Sequence, residues 1–132
     1  MQNLKIATAC FVNPRQELLV VRKKNTSAWM LPGGKLDADE TPAKALIREI
    51  REELQLEIAE SLLKPLGVFD AVAANEVDTT VHAHAFLVQL PQGQSPSHAA
   101  EIAEMKWLPL NQPVPADVAP LLRNFIIPAL QS

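Results

Sequence analysis

One stretch limits the fold more than any other. From Ala43 to Leu54 the chain carries neither glycine nor proline, and most of its residues favour helix. Thr41 can cap that helix, and Pro42 suits its first position. Leu46, Ile50 and Leu54 recur at i, i+4 and i+8, so one stripe of the helix must be buried. A helix from Thr41 to Leu54, about 21 Å long, needs an apolar partner surface, and the flanking segments read as strands that supply it.

Leu4 to Val12 is an apolar run rich in β-formers. Asn13-Pro14-Arg15-Gln16 reads as a turn, and Glu17 to Lys23 as a second strand and the hairpin partner of the first. Lys24 to Ala28 is polar and loop-like. Trp29-Met30-Leu31-Pro32-Gly33-Gly34 leads into the helix. Leu56 to Leu63 reads as an edge strand and a loop, and Leu66 to Val72 and Thr79 to Leu90 as strands. Pro91 to Pro96 reads as a loop, Ile102 to Leu108 as a short strand, and Ala116 to Leu130 as a C-terminal helix with Pro120 in its first turns. Strands and helices interleave, which predicts an α/β fold with a mixed sheet between helices. At 132 residues, 48 % of them hydrophobic, the chain suits a single domain over 1–132. There is no internal repeat and no long linker.

A net charge of −3 argues against a surface built for long DNA or RNA, but leaves room for a small anionic ligand beside a local cation. Cys10 is the one cysteine and sits in an apolar run, so a buried structural thiol is expected rather than a disulfide. The first apolar run is too short to span a membrane and lacks a signal-peptide pattern. No membrane association and a cytoplasmic setting are therefore expected. Monomer and homodimer both stay open.

The helix also breaks its own rules. Glu49, Glu52 and Glu53 stand at i, i+3 and i+4, which gathers three carboxylates on one face. Like charges there repel, and they lie near the end where the helix dipole favours cations. One reading is a solvated acidic face steadied by Arg48 and Arg51. The other is a bound hard divalent cation, which takes oxygen ligands and offsets the repulsion. The adjacent Gly33 and Gly34 permit positive φ and close approach of a ligand to backbone, although an ordinary tight turn uses the same residues.

Gly34, Glu40, Arg48-Glu49-Ile50, Glu52-Glu53 and Leu56 together resemble the signature of the Nudix hydrolase family, G-x5-E-x7-R-E-U-x-E-E-x-G-U, where U is a bulky aliphatic residue. Every specified position matches but one: Gln55 stands where the family has its second glycine. A side chain there costs roughly 1–2 kcal/mol if the backbone must be left-handed. The resemblance is to the MutT-like branch, which cleaves nucleoside triphosphates to the monophosphate and pyrophosphate. It implies a Nudix-type α/β/α sandwich with a loop-helix-loop catalytic motif. It also implies a Mg²⁺ ion, replaceable by Mn²⁺, on Glu49, Glu52, Glu53 and the Gly34 carbonyl. Arg48 would orient a glutamate of the cluster and Glu40 would brace the loop.

The same resemblance implies Mg²⁺-dependent hydrolysis of a nucleoside diphosphate linked to a group X. The expected substrate is a nucleoside triphosphate, with an oxidised purine such as 8-oxo-dGTP or a pyrimidine nucleotide as special cases. ADP-ribose or a nucleotide sugar is the alternative within the chemistry, and a non-catalytic nucleotide-sensing module is the rival outside it. Glu52 or Glu53 is a candidate general base. So is Glu101, which lies about six residues before Trp107 as in the triphosphate-cleaving branch, with Glu104 as a weaker version. Arg22, Lys23 and Lys35 are candidate phosphate ligands, against the plainer reading of solvated surface charges. Trp29 can stack on a base or fill the core. Asp117 can read a purine edge or cap the last helix. His82 and His84 alternate on one strand face and read as cleft or surface histidines rather than a metal pair.

Overall fold

The computed structural model describes residues 2–91 and 93–131. Six strands form: β1 Gln2–Phe11, β2 Glu17–Lys23, β3 Gly33–Lys35, β4 Leu63–Val72, β5 Thr79–Val88 and β6 Ile102–Pro109. The helix α1 runs over Pro42–Leu54, and a π-helical turn at Leu122–Ile126 leads into α2, Ile127–Gln131. A four-stranded mixed sheet has the order β3-β1-β5-β4, with β1 and β5 parallel and the outer pairs antiparallel. An antiparallel pair, β2-β6, makes a second sheet.

β1 carries the architecture because both of its faces are buried. Ala7, Ala9 and Phe11 pack with Leu46, Ile50 and Leu54 of α1. Cys10, from the other face, packs with Val118, Leu122 and Ile126 near the C-terminus. Alternating side chains point to opposite faces of a strand, so a strand with helical cover on each side reads as continuously apolar. The result is the expected α/β/α sandwich. Cys10 is buried and free, and burial pushes its thiol up to about 12.

The hairpin expected between β1 and β2 does not form. Its turn is sound: Asn13 Oδ1 accepts from the backbone N–H groups of Arg15 and Glu17, each at 3.0 Å. Among the described residues the two segments nevertheless share a single β-bridge, Val12–Leu18, rather than a ladder. Both hydrogen-bonding edges of β1 are taken, by β3 and β5, so β2 turns away and pairs with β6. Two other expectations shift. Leu56 to Leu63 is an extended run with a 3₁₀ turn at Glu60–Leu62, and β4 starts only at Leu63. The C-terminal helix begins at Pro120 rather than Ala116, because Val118 is drawn into a parallel bridge with Trp29. The loop expected from Pro91 to Pro96 includes Gln92, which lies outside the described residues.

Candidate active site

The start of α1 follows its sequence. Thr41 is extended, and its hydroxyl accepts from Lys44 N at 3.2 Å, with Pro42 opening the helix. The end is less ordinary. Gln55 takes the left-handed conformation, φ 58 and ψ 35, and its N–H donates to the Arg51 carbonyl. The family glycine is gone, but its backbone conformation stays.

Glu53 lies on the buried face of α1 and is only 4 % exposed. Its Oε1 accepts from Gly33 N at 3.0 Å. Burial is the main cause that pushes its carboxyl up to about 7, and the Gly33 hydrogen bond opposes this. Gly33 has φ 138, and a Cβ there would meet the Ala7 carbonyl oxygen at 2.1 Å. Gly34 is fixed by a different neighbour: a Cβ on it would come within 2.6 Å of the Glu49 carboxyl carbon. The two glycines let β3 lie against β1 while two helix glutamates close over it.

Arg48 organises the rest. Its Nε and Nη2 grip both oxygens of Glu40, at 2.8 and 2.9 Å, while Nη1 donates to Glu49 at 2.9 Å and Nη2 to the Lys35 carbonyl at 3.1 Å. Glu40 also accepts from Asp37 N at 2.8 Å, which closes the loop before the helix. The Arg48 hydrogen bonds hold the Glu40 carboxyl down at about 2, and Glu40 in turn raises the proton affinity of the guanidinium. Glu52 is more exposed, 3.6 Å from Arg48 Nη1.

Glu49, Glu52, Glu53 and Glu101 line one polar cleft of about 840 Å³, with Gly34, Lys23 and Lys35 also in its wall. Glu101 is brought there by the segment before β6. Ser97 N and Ala99 N donate to the Leu54 and Glu53 carbonyls at 3.0 and 2.8 Å, which ties that segment to the end of α1. The Glu101 carbonyl accepts from Lys24 N at 2.8 Å, and its carboxylate lies 4.0 Å from Lys23 Nζ. Against this cleft lies a mostly apolar cavity of about 290 Å³. Lys23, Thr26, Gly34, Lys35 and Glu76 belong to both.

Among the described residues, no three His, Cys, Asp or Glu side chains converge as a ready metal cage. A hard cation does not need one. Mg²⁺ commonly takes one or two carboxylates and fills its octahedron with waters and substrate phosphates. The donors here are all oxygen, and Glu53 is a buried carboxylate that no neighbouring cation brings back to its ordinary range. The residues present fit such an ion.

A model of the NUDIX domain family matches residues 3–127. This chain belongs to the Nudix family. It is 36 % identical over 105 residues to a Mycobacterium tuberculosis H37Rv protein named "Putative 8-oxo-dGTP diphosphatase 2", covering 73 % of this chain and 72 % of that one. It is 31 % identical over 97 residues to a Bacillus subtilis protein named "Putative 8-oxo-dGTP diphosphatase", covering 74 % of this chain and 60 % of that relative's length. Among solved structures, a MutT NUDIX hydrolase from Burkholderia pseudomallei superposes with a TM-score of 0.72 at 26 % identity, covering 87 % of this chain and 90 % of that one.

The Nudix domain places the other candidates unevenly. Arg22, expected at the phosphates, lines neither the cleft nor the cavity; it is bound by Glu104 at 2.6 Å and by the Thr26 carbonyl at 2.7 Å. Its neighbour Lys23 reaches both. Trp29 is buried in the core under Lys106, whose Nζ stands 4.1 Å from the ring centroid, so the core role wins over base stacking. The exposed Asp117 is also off both cavities, and lies before the helix that starts at Pro120. Its carbonyl accepts from Trp29 N at 2.8 Å. His82 pairs with Asp70 at 2.8 Å and meets His84 edge-on. The residues missed by sequence reasoning are those of the apolar cavity, Met30, Leu31 and Val81 among them, and Glu76 at its border. They come from separate segments, and no spacing joins them.

Proposed function

We propose that this Nudix domain hydrolyses a phosphoanhydride bond of a nucleoside diphosphate linked to a group X, using Mg²⁺, which Mn²⁺ can replace. The proposed substrate is a nucleoside triphosphate, cut to the monophosphate and pyrophosphate. One observation carries this reading: a cleft with acidic and basic side chains opens directly onto an apolar cavity, and the two share Lys23, Gly34 and Lys35. A charged polyphosphate joined to a flat aromatic base, whose faces suit apolar walls, fits that pair of spaces.

Glu49, Glu52, Glu53 and the Gly34 carbonyl would hold the cation. When bound, it supplies charge neutralisation on phosphate oxygens and a more acidic water. The chain's own residues do the positioning. Arg48 fixes Glu49 and, through Glu40, the loop that precedes α1. Lys23 and Lys35 bring positive charge to the phosphates. Glu53, a carboxylate on the wall of this cleft, is one candidate to accept a proton from the attacking water. Glu101, across the same cleft, is the second candidate for that step.

The names of the relatives support 8-oxo-dGTP as the first substrate to try, with pyrimidine triphosphates next. A cytoplasmic setting is part of the proposal; among the described residues no helix is long and apolar enough to cross a membrane. The test is a panel of canonical and oxidised triphosphates, ADP-ribose and a nucleotide sugar with Mg²⁺, assayed for released pyrophosphate and monophosphate, with EDTA controls. Pyrophosphate from a triphosphate, lost in EDTA, is the expected result. Turnover of ADP-ribose or the sugar alone moves the substrate class. Nucleotide binding with no turnover of anything converts the domain into a sensing module.

A further inference from the structure

One residue in the wall of the apolar cavity carries a buried polar atom that the fold leaves unused. Thr8 lines this cavity and is 4 % exposed. Its Oγ1 is the only buried side-chain nitrogen or oxygen without a hydrogen-bond partner among the described residues. A buried hydroxyl in that condition destabilises a fold. Valine has nearly the same shape without the penalty, and it is the better strand residue for an apolar wall. Folding alone therefore gives no reason for a threonine here.

Position supplies one. Leu4, Ile6 and Thr8 alternate along the face of β1 that looks into the cavity. Thr8 stands across from Gly33 in the β1–β3 ladder, and Gly33 N holds Glu53. Thr8 is thus part of the cavity wall, one strand from the cleft that would receive the phosphates, and a turn about its Cα–Cβ bond carries the unused hydroxyl to the cavity side. A hydroxyl can donate or accept, so it can meet either kind of group on a heterocycle's edge.

We propose that Thr8 determines base specificity: its Oγ1 forms a hydrogen bond with the polar edge of the nucleobase seated in this cavity. This rests on the reading of the cavity as the base site. A site that holds a buried polar partner for one ligand rejects ligands that leave it unpaired. Thr8 lies outside the Gly34–Leu56 signature, 26 residues before its first glycine.

The test compares Thr8→Val and Thr8→Ser with the native chain in two assays. The first is kcat/KM across the four deoxynucleoside triphosphates and 8-oxo-dGTP. The second is equilibrium binding of the matching monophosphates and of pyrophosphate in EDTA, which needs no turnover. Thr8→Val is expected to lose about tenfold or more on the preferred base, mainly in KM, to flatten the ratio between bases, and to keep pyrophosphate affinity. Thr8→Ser is expected to retain the native ratio. An active Thr8→Val with unchanged base ratios and unchanged monophosphate affinities overturns this inference alone. A native protein that neither binds nor hydrolyses any nucleotide overturns the parent reading and this one with it.

Discussion

Replacing Glu53 by glutamine should remove a specific piece of the protein's pH dependence. Glu53 is 4 % exposed, and its carboxyl rises from 4.5 to about 7. At about 1.4 kcal/mol per tenfold change in proton affinity, that corresponds to roughly 3 kcal/mol. The folded state binds the proton more tightly than the unfolded chain. The stabilising contribution is therefore complete below about pH 4.5, declines as pH rises towards 7, and is gone above it. Glutamine keeps an oxygen for Gly33 N but cannot ionise. Urea unfolding in EDTA at pH 5, 6, 7 and 8 reads the effect. Between pH 5 and pH 8 the native protein should lose about 2 to 3 kcal/mol more than the variant, with other carboxylates cancelling in the comparison. Excess Mg²⁺ at pH 8 should then raise the native midpoint and leave the variant's nearly unchanged, because an ion that binds only the folded state stabilises it. Parallel pH profiles for the two proteins would refute the reasoning, since they would mean Glu53 ionises as easily inside as outside.

Three other outcomes follow from the same geometry. Arg48→Ala frees Glu40 and Glu49 together and should weaken Mg²⁺ binding about 10- to 100-fold by calorimetry; Arg48→Lys should not restore it, because an ammonium cannot grip both Glu40 oxygens, and full rescue would count against that role. Gln55→Gly should raise stability by roughly 1 kcal/mol, because the residue is left-handed at φ 58; an unchanged or lower unfolding midpoint would contradict it. Gly34→Ala should fold but lose most metal affinity, as its Cβ enters the space of the Glu49 carboxyl; native affinity would show that Glu49 can move aside freely.

The helix and its charged face were readable because their signals are local. A cap, a proline, a stripe and three glutamates lie within fifteen residues, and the structure reproduces their arrangement. The left-handed end at Gln55 was readable too, as a conflict between side chain and position. The β1–β2 pairing was not. Asn13 builds the turn that the sequence promises, but the partners of β1 are chosen by strands far along the chain. Trp29 and Arg22 fall in the same class: Lys106 and Glu104, both on β6, decide their surroundings. Glu101 was found through a family spacing, and what delivers it to the cleft, the bonding of Ser97 and Ala99 to the end of α1, has no signature of its own. The apolar cavity is assembled from several segments, so no window of sequence contains it.

The central place of β1 also has a consequence for biosynthesis. Its parallel partner β5 pairs Gln2 with Thr79 and Phe11 with Val88, so β1 leaves the ribosome well before the strand it must pair with. Until then it presents an apolar ribbon with an open edge, the kind of surface that recruits chaperones or other nascent chains. Contacts that span such a length of chain also slow folding. β1 is made before β5 and completes its pairing only after β5 has emerged.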